Sequence, residues 1–304
     1  MKPKVLITGG SGLLSLNCAL FFRNHYAVTL CIHNREVNLN NVQTKFLNME
    51  SVDEIRYLVD VLEPQFVVHT AGLTNIEKCE SEPDIAKYLN VQLAKNMAQA
   101  CSAAQVTLVH ISTDHLFKGD DAFVDEEAVL SPINVYAKTK AEAEQQVLYS
   151  CPDALVIRTN FYGWGTIYRM SFSDMIVNTL RASRELTLFK DVYYTPIIAE
   201  ELALTLHELI ARKAIGVFNV VGDDRVSKYE FGLRLAEKFD LDKTLIVPGL
   251  ISDMPNLVRR PHDMSLSNKK VSQLLKQKIG GIAEHLEKLK AQEQAGIAKE
   301  LKEL

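Results

Sequence analysis

Tyr136 and Lys140 lie four residues apart in Tyr136-Ala137-Lys138-Thr139-Lys140, within a stretch of helical composition at 132–148. On a helix that spacing puts both side chains on one face. A free phenol has a pKa of about 10, and a neighbouring ammonium, together with the dipoles of a bound cofactor, can lower it until the group gives and takes a proton near neutral pH. Such a pair also arises by chance as two exposed side chains, so its weight depends on what stands nearby. Upstream, Val109-His110-Ile111-Ser112-Thr113-Asp114 closes an apolar strand. The Thr113 hydroxyl can hold a carbonyl oxygen toward the phenol; its plainer role is a bond to local backbone. Asp114 either tunes the same pocket or makes a structural hydrogen bond at the strand end.

A second constellation sits near the N-terminus. Gly9-Gly10-Ser11-Gly12 follows the apolar run 5–8 and precedes a helical stretch that begins Leu13-Leu14. Small residues at such a turn let a pyrophosphate approach the backbone N–H groups of a helix N-terminus. In the pattern Gly9-x-x-Gly12-x-x-Ser15 a serine takes the place of the third glycine, which predicts a slightly displaced first helix. The second strand ends Ile32-His33-Asn34-Arg35 with no carboxylate before Arg35. An arginine there suits a 2′-phosphate, so this reading favours NADPH, with NADH as the alternative because Glu36 follows. The plain reading of Arg35 is a solvated loop charge.

These groups need a scaffold that brings loops after several strands together. Short apolar runs at 5–8, 28–32, 45–47, 66–69, 106–111 and 154–157 alternate with helical stretches, including one long helix expected over 84–103. That rhythm predicts an α/β fold with a Rossmann-type, doubly wound parallel sheet and a smaller C-terminal α/β substrate domain. The expected division is a dinucleotide-binding domain over 1–160, with a segment near 187–212 returning to it. A substrate-binding domain follows over 161–281, and then a C-terminal helical extension over 282–304. The extension carries a broken apolar stripe, to be frayed or docked on this protein or on a second copy in a homodimer.

Charge and composition narrow the function. The 304 residues carry a net charge of −4 and 47% apolar residues, giving no electrostatic reason to expect nucleic acid or an anionic membrane. No apolar run approaches a bilayer span, and the start Met1-Lys2-Pro3-Lys4 runs at once into a strand, so the expectation is a cytoplasmic protein. The five cysteines are scattered without a CxxC pair and read as buried free thiols. The eight histidines show no metal spacing, and no metal is expected; His69 and His110 read as satisfied core histidines.

Further segments join these pieces: His69-Thr70-Ala71-Gly72-Leu73-Thr74, Asn90-Val91, Thr113-Asp114-His115-Leu116-Phe117, Arg158-Thr159-Asn160-Phe161-Tyr162-Gly163 and Arg260-Pro261-x-Asp263-x-Ser265-Leu266. Together and in this order they resemble the extended short-chain dehydrogenase/reductases. The closer likeness is to dTDP-4-dehydrorhamnose reductases and related nucleotide-sugar 4-ketoreductases of polysaccharide biosynthesis, and it runs from about Val5 to Leu275. The resemblance implies that Tyr136 is the general acid, that Lys140 orients it and a cofactor ribose, and that Thr113 binds the keto oxygen. It places the cofactor on Gly9, Ser11, Gly12, Leu13, Leu14, Arg35, Asn48, Thr70, Ala71 and Gly72, besides Tyr136 and Lys140. Asn48 stands where an aspartate is usual, and Asn90 is a structural or proton-path residue. A nucleotide-sugar substrate would meet Thr74, Thr113, Asp114, Asn160, Phe161 and Trp164. Trp164, the single tryptophan, stacks on a base or fills a core.

The implied activity is reduction of a 4-keto nucleotide-linked deoxyhexose with NADPH or NADH. Two other readings stand beside it: a nucleotide-sugar epimerase with bound NAD, and a non-catalytic NADP-binding regulatory subunit like the methionine adenosyltransferase β subunit.

Overall fold

Seven parallel strands form the central sheet of the computed structural model, which describes residues 2–304. Six come from the first 158 residues: β1 (Lys4–Thr8), β2 (Ala27–Ile32), β3 (Val42–Phe46), β4 (Phe66–His69), β5 (Thr107–Ile111) and β6 (Leu155–Arg158). Short strands follow as β7 (Phe161–Tyr162), β8 (Leu186–Phe189), β9 (Tyr193–Tyr194) and β10 (Ile197–Ile198). Then come β11 (Gly216–Asn219), β12 (Val226–Ser227) and β13 (Ile246–Gly249). The sheet order is β11-β6-β5-β4-β1-β2-β3. Chain order therefore reverses beside β1, which pairs with both β2 and β4. A crevice opens at such a reversal, beyond the carboxyl ends of the strands.

Helices cover both faces: α1 (Leu13–Phe22), α2 (Val52–Leu62), α3 (Ile76–Ser81), α4 (Pro83–Lys87), α5 (Leu93–Ala103) and α6 (Val135–Ser150) in the first half. Adjacent strand residues face opposite layers, as a pleat requires. Val5 and Ile7 join one core with Leu16, Ala19 and Phe22 of α1, while Leu6 joins the other with Ile55 of α2 and Met97 of α5. The remaining helices are α7 (Phe172–Arg181), α8 (Ala199–Ala211), α9 (Lys228–Lys238), α10 (Lys269–Leu275), α11 (Ile282–Gln294) and α12 (Ile297–Lys302). Among the described residues no helix is long and apolar enough to cross a membrane. All five cysteines are free and buried.

Several local expectations are revised. The single helix over 84–103 is α4, a π-helical turn at Tyr88–Gln92 and then α5. Wide turns of this kind recur at functional sites, and here the turn carries Asn90 into the interior. Ser15 is fully buried, and its hydroxyl donates to the carbonyls of Gly9 (2.5 Å) and Gly12 (2.8 Å), tying α1 to the turn before it. The strand that rejoins the sheet is β11, just beyond the 187–212 stretch, and α8 leads to it along α1.

The 282–304 segment forms two helices, broken at Gly296, whose φ of +82° is left-handed. Ile282, Leu286, Leu289 and Leu301 are buried in the same core as α1 and α8. Arg23, at the C-terminal cap of α1, donates to Glu300 of α12 at 2.5 and 2.8 Å. The stripe that reads as broken along one helix is thus continuous across two, and it docks on the protein's own body.

Candidate active site

A cavity of about 600 Å³ opens at the carboxyl ends of the strands. At one end lies the glycine turn. Gly9 has φ +69°, and a Cβ there would stand 2.8 Å from Thr70 Oγ1 and 3.0 Å from the Ala71 backbone. Ser11, Gly12, Leu13 and Leu14 line the wall, and Thr70, Ala71 and Gly72 face them. No side chain caps the first turn of α1, so its N–H groups are left for a ligand. Gly72 is closed in by Asn90, whose Oδ1 accepts from Leu73 N (2.7 Å) while Nδ2 donates to Leu73 O (3.1 Å) and Thr139 Oγ1 (2.9 Å). Asn90 thus clasps the loop after β4 to α6.

At the other end Thr113, Tyr136 and Lys140 line the cavity together. Asn134 starts α6 by accepting from Ala137 N (2.8 Å), which puts Tyr136 on the first turn. Further along, Glu144 and Arg158 of β6 form a buried bidentate pair, with Nη2 to Oε2 at 2.8 Å, that pins the helix to the sheet. Lys140 Nζ donates to Ile111 O at 2.7 Å. Burial pulls its pKa down to about 8, while Glu144 opposes the shift. The protein's own groups shift Tyr136 upward. Burial pushes its phenol above the usual range, partly offset by the Thr113 hydrogen bond and reinforced by Asp114. Desolvation of the phenolate dominates, so the group is held protonated.

Asp114 accepts from Asn160 Nδ2 (2.5 Å) and Thr113 Oγ1 (3.3 Å), and His115 packs edge-on against the Tyr136 ring. Beneath the floor, His69 and His110 stack with centroids 5.5 Å apart. His69 Nδ1 lies 2.8 Å from Thr8 Oγ1, but its Nε2 and both nitrogens of His110 lack partners, so the pair is only partly satisfied. Burial, then Lys140, drives both imidazoles neutral, His69 to about 3.

Of the other expected residues, Asn48, Thr74, Asn160 and Phe161 line the cavity. Trp164 does not. It is 2% exposed, donates Nε1 to Leu289 O (3.0 Å) and meets Phe239 edge-on, so it fills the core and cannot stack on a base. Arg35 is exposed and outside the cavity wall; its guanidinium lies 4.0 Å over the Tyr168 ring. Arg169 and Met170 also line the cavity, and Tyr168 beside them reaches Ser11 O; none of the three is legible as a site residue in the sequence. They belong to an irregular loop with no periodicity, and the only signal was the helix start Ser171-Phe172-Ser173-Asp174 that follows it.

A family model described as RmlD substrate binding domain matches residues 2–294. The match therefore extends past Leu275 and takes in α11, where the sequence had suggested an extension. The probable low-salt glycan biosynthesis reductase Agl14 of Haloferax volcanii is 29% identical over 260 residues, covering 84% of this chain and 86% of that protein. The β subunit of methionine adenosyltransferase 2 of Mus musculus is 27% identical, covering 89% and 82%. In fold, the chain is similar to the dTDP-4-dehydrorhamnose reductase of Bacillus anthracis solved with NADP, with a TM-score of 0.84 and 22% identity, covering 96% and 100%.

Proposed function

The chain belongs to the RmlD substrate-binding family of extended short-chain dehydrogenase/reductases, and from that premise we propose that it reduces a 4-keto nucleotide-linked deoxyhexose. The observation that carries this reading is the convergence of Thr113, Tyr136 and Lys140 at one end of a cavity whose other end is the uncapped glycine turn. The close approach at Gly9 and the free N–H groups of α1 fit a dinucleotide pyrophosphate on Gly9, Ser11 and Gly12. When bound, NADPH, or NADH in its place, supplies the hydride. NADPH is preferred because the relative in Bacillus anthracis was solved with NADP and no carboxylate precedes Arg35.

Tyr136 and Thr113 hold the keto oxygen between two hydroxyls. As negative charge develops there, the Tyr136 Oη–H bond breaks and its proton passes to that oxygen. A phenol kept protonated by burial is in the state this step requires. Lys140, cationic at neutral pH with a pKa of about 8, stabilises the phenolate left behind. Asp114 and Asn160 form a polar rim for the sugar.

The relative that is a β subunit of methionine adenosyltransferase 2 gives a second reading, in which the chain binds NADP without turning it over. A panel of dTDP-, UDP- and GDP-linked 4-keto-6-deoxyhexoses, followed by loss of NADPH absorbance, separates them. Turnover of one panel member supports the reductase. Dinucleotide binding with no turnover across the panel would overturn it.

A further inference from the structure

The loop 165–170, between β7 and α7, crosses the mouth of the cavity. At its tip Tyr168 Oη donates to Ser11 O in the glycine turn (3.3 Å), and Arg35 stacks on the Tyr168 ring. Arg169 Nη2 reaches Thr74 Oγ1 on the opposite rim (2.8 Å). The tip thus bridges from the phosphate end of the cleft to the loop after β4.

Both ends of this loop are held by one side chain. Asp174 Oδ2 accepts from Gly165 N (2.6 Å) at the start and from Ser171 N (3.0 Å) at the finish. Its other oxygen, Oδ1, accepts from Lys302 Nζ at 2.8 Å. The Asp174 carboxylate is 0% exposed, and among the described residues Lys302 is its only cationic partner. Lys302 closes the last helix, α12, at the far end of the sequence. A buried carboxylate without its cation draws in water or reorients, and here it cannot do so without loosening both ends of the loop.

We infer that Lys302 is a positioning residue for the dinucleotide cleft: through Asp174 it holds the loop 165–170 in place across the cleft mouth. The part concerning the dinucleotide rests on the function proposed above. Loops that cover a cleft set how fast a ligand leaves more than how fast it arrives.

Two measurements on the full chain test this. In the unliganded protein, trypsin cleavage after Arg169, followed by peptide mass, reports how often the loop opens. Lys302→Met should speed that cut at least about fivefold, and Lys302→Arg should restore the parent rate. Stopped-flow release of NADPH should be about tenfold faster in Lys302→Met. The control is Glu300→Gln, which breaks the pair with Arg23 on the same helix but does not touch Asp174. It should lower the melting temperature while leaving both rates at the parent value. An unchanged cut rate in Lys302→Met, or equal acceleration in Glu300→Gln, would overturn the assignment by making the tail a general stabiliser only. A parent that binds neither NADPH nor NADH would overturn the cofactor reading, and the cleavage rates would still decide the anchor.

Discussion

Tyr136 and Lys140 stand on a helix of 16 residues tied to the sheet by a buried ion pair, whereas Tyr168 and Arg169 hang from a loop whose two ends meet at one carboxylate. The first wall has a helix cap, a bidentate Glu144–Arg158 pair and the Asn90 clasp, all buried. The second touches the rest of the cleft through a phenol at 3.3 Å, a stacked guanidinium and one arginine hydrogen bond. Proton transfer tolerates little displacement, and the proposed proton donor rides on the stiffer wall. The covering wall must let ligands in and out, and its contacts are individually weak.

The largest effect should come from breaking the stiff wall at its root. Arg158→Met strands the Glu144 carboxylate in a buried site and should cost about 3–5 kcal/mol of stability in urea unfolding. The double variant Glu144→Leu with Arg158→Met removes both charges and should recover much of that loss. Equal destabilisation in single and double variants would mean that packing, and not the pair, holds α6.

Next in size is the chemistry on that wall. Tyr136→Phe keeps the ring's packing and removes the proton donor. Turnover should fall at least about 10²-fold with dinucleotide affinity little changed. Turnover within a few-fold of the parent would remove Tyr136 from the mechanism.

A smaller effect should appear in the pH profile. Lys140 has its pKa depressed by burial to about 8 from the usual 10.5, so its cation is lost as pH rises through about 8. If that cation stabilises the Tyr136 phenolate, kcat/KM should fall about tenfold per pH unit above that point. Lys228, also depressed to about 8 by burial, is the confounding group, so Lys228→Met must keep the limb if Lys140 is its source. Stability moves the other way. Between about 8 and 10.5 the unfolded chain binds a proton that folded Lys140 does not, so folding stability should rise with pH across that window. A limb that vanishes in Lys228→Met would reassign it.

The same contrast explains what the sequence revealed. Tyr136, Lys140, Thr113 and the glycine turn were legible because each sits at a fixed offset from a strand or helix that periodicity finds. Asn90 was recognisable, but the π turn that aims it inward was not, since an apolar pattern does not register a single widened turn. Trp164 could not be placed from local sequence, because its burial depends on Phe239 and Leu289, which lie far along the chain. The Asp174–Lys302 contact spans 128 positions and has no local signature at all. Apolar residues in 282–304 looked broken only when laid on one helix; a turn at left-handed Gly296 rejoins them.

Asp174 also bears on how much the tip of the loop can change. Because Gly165 and Ser171 are already brought together at one carboxylate, the entropy of closing the loop is committed at its base. Extra residues between Ile167 and Arg169 would add a logarithmic entropic cost of about 0.6 kcal/mol for a doubling of loop length, and would also break the turn in which Thr166 and Arg169 exchange backbone hydrogen bonds at 3.1 and 3.3 Å. The base has no such freedom: a Cβ at Gly165 would run into Arg169 O and stand 2.9 Å from Asp174 Oδ2. Length at the tip is therefore set by that turn, while Gly165 and Ser171 are held by their shared approach to Asp174.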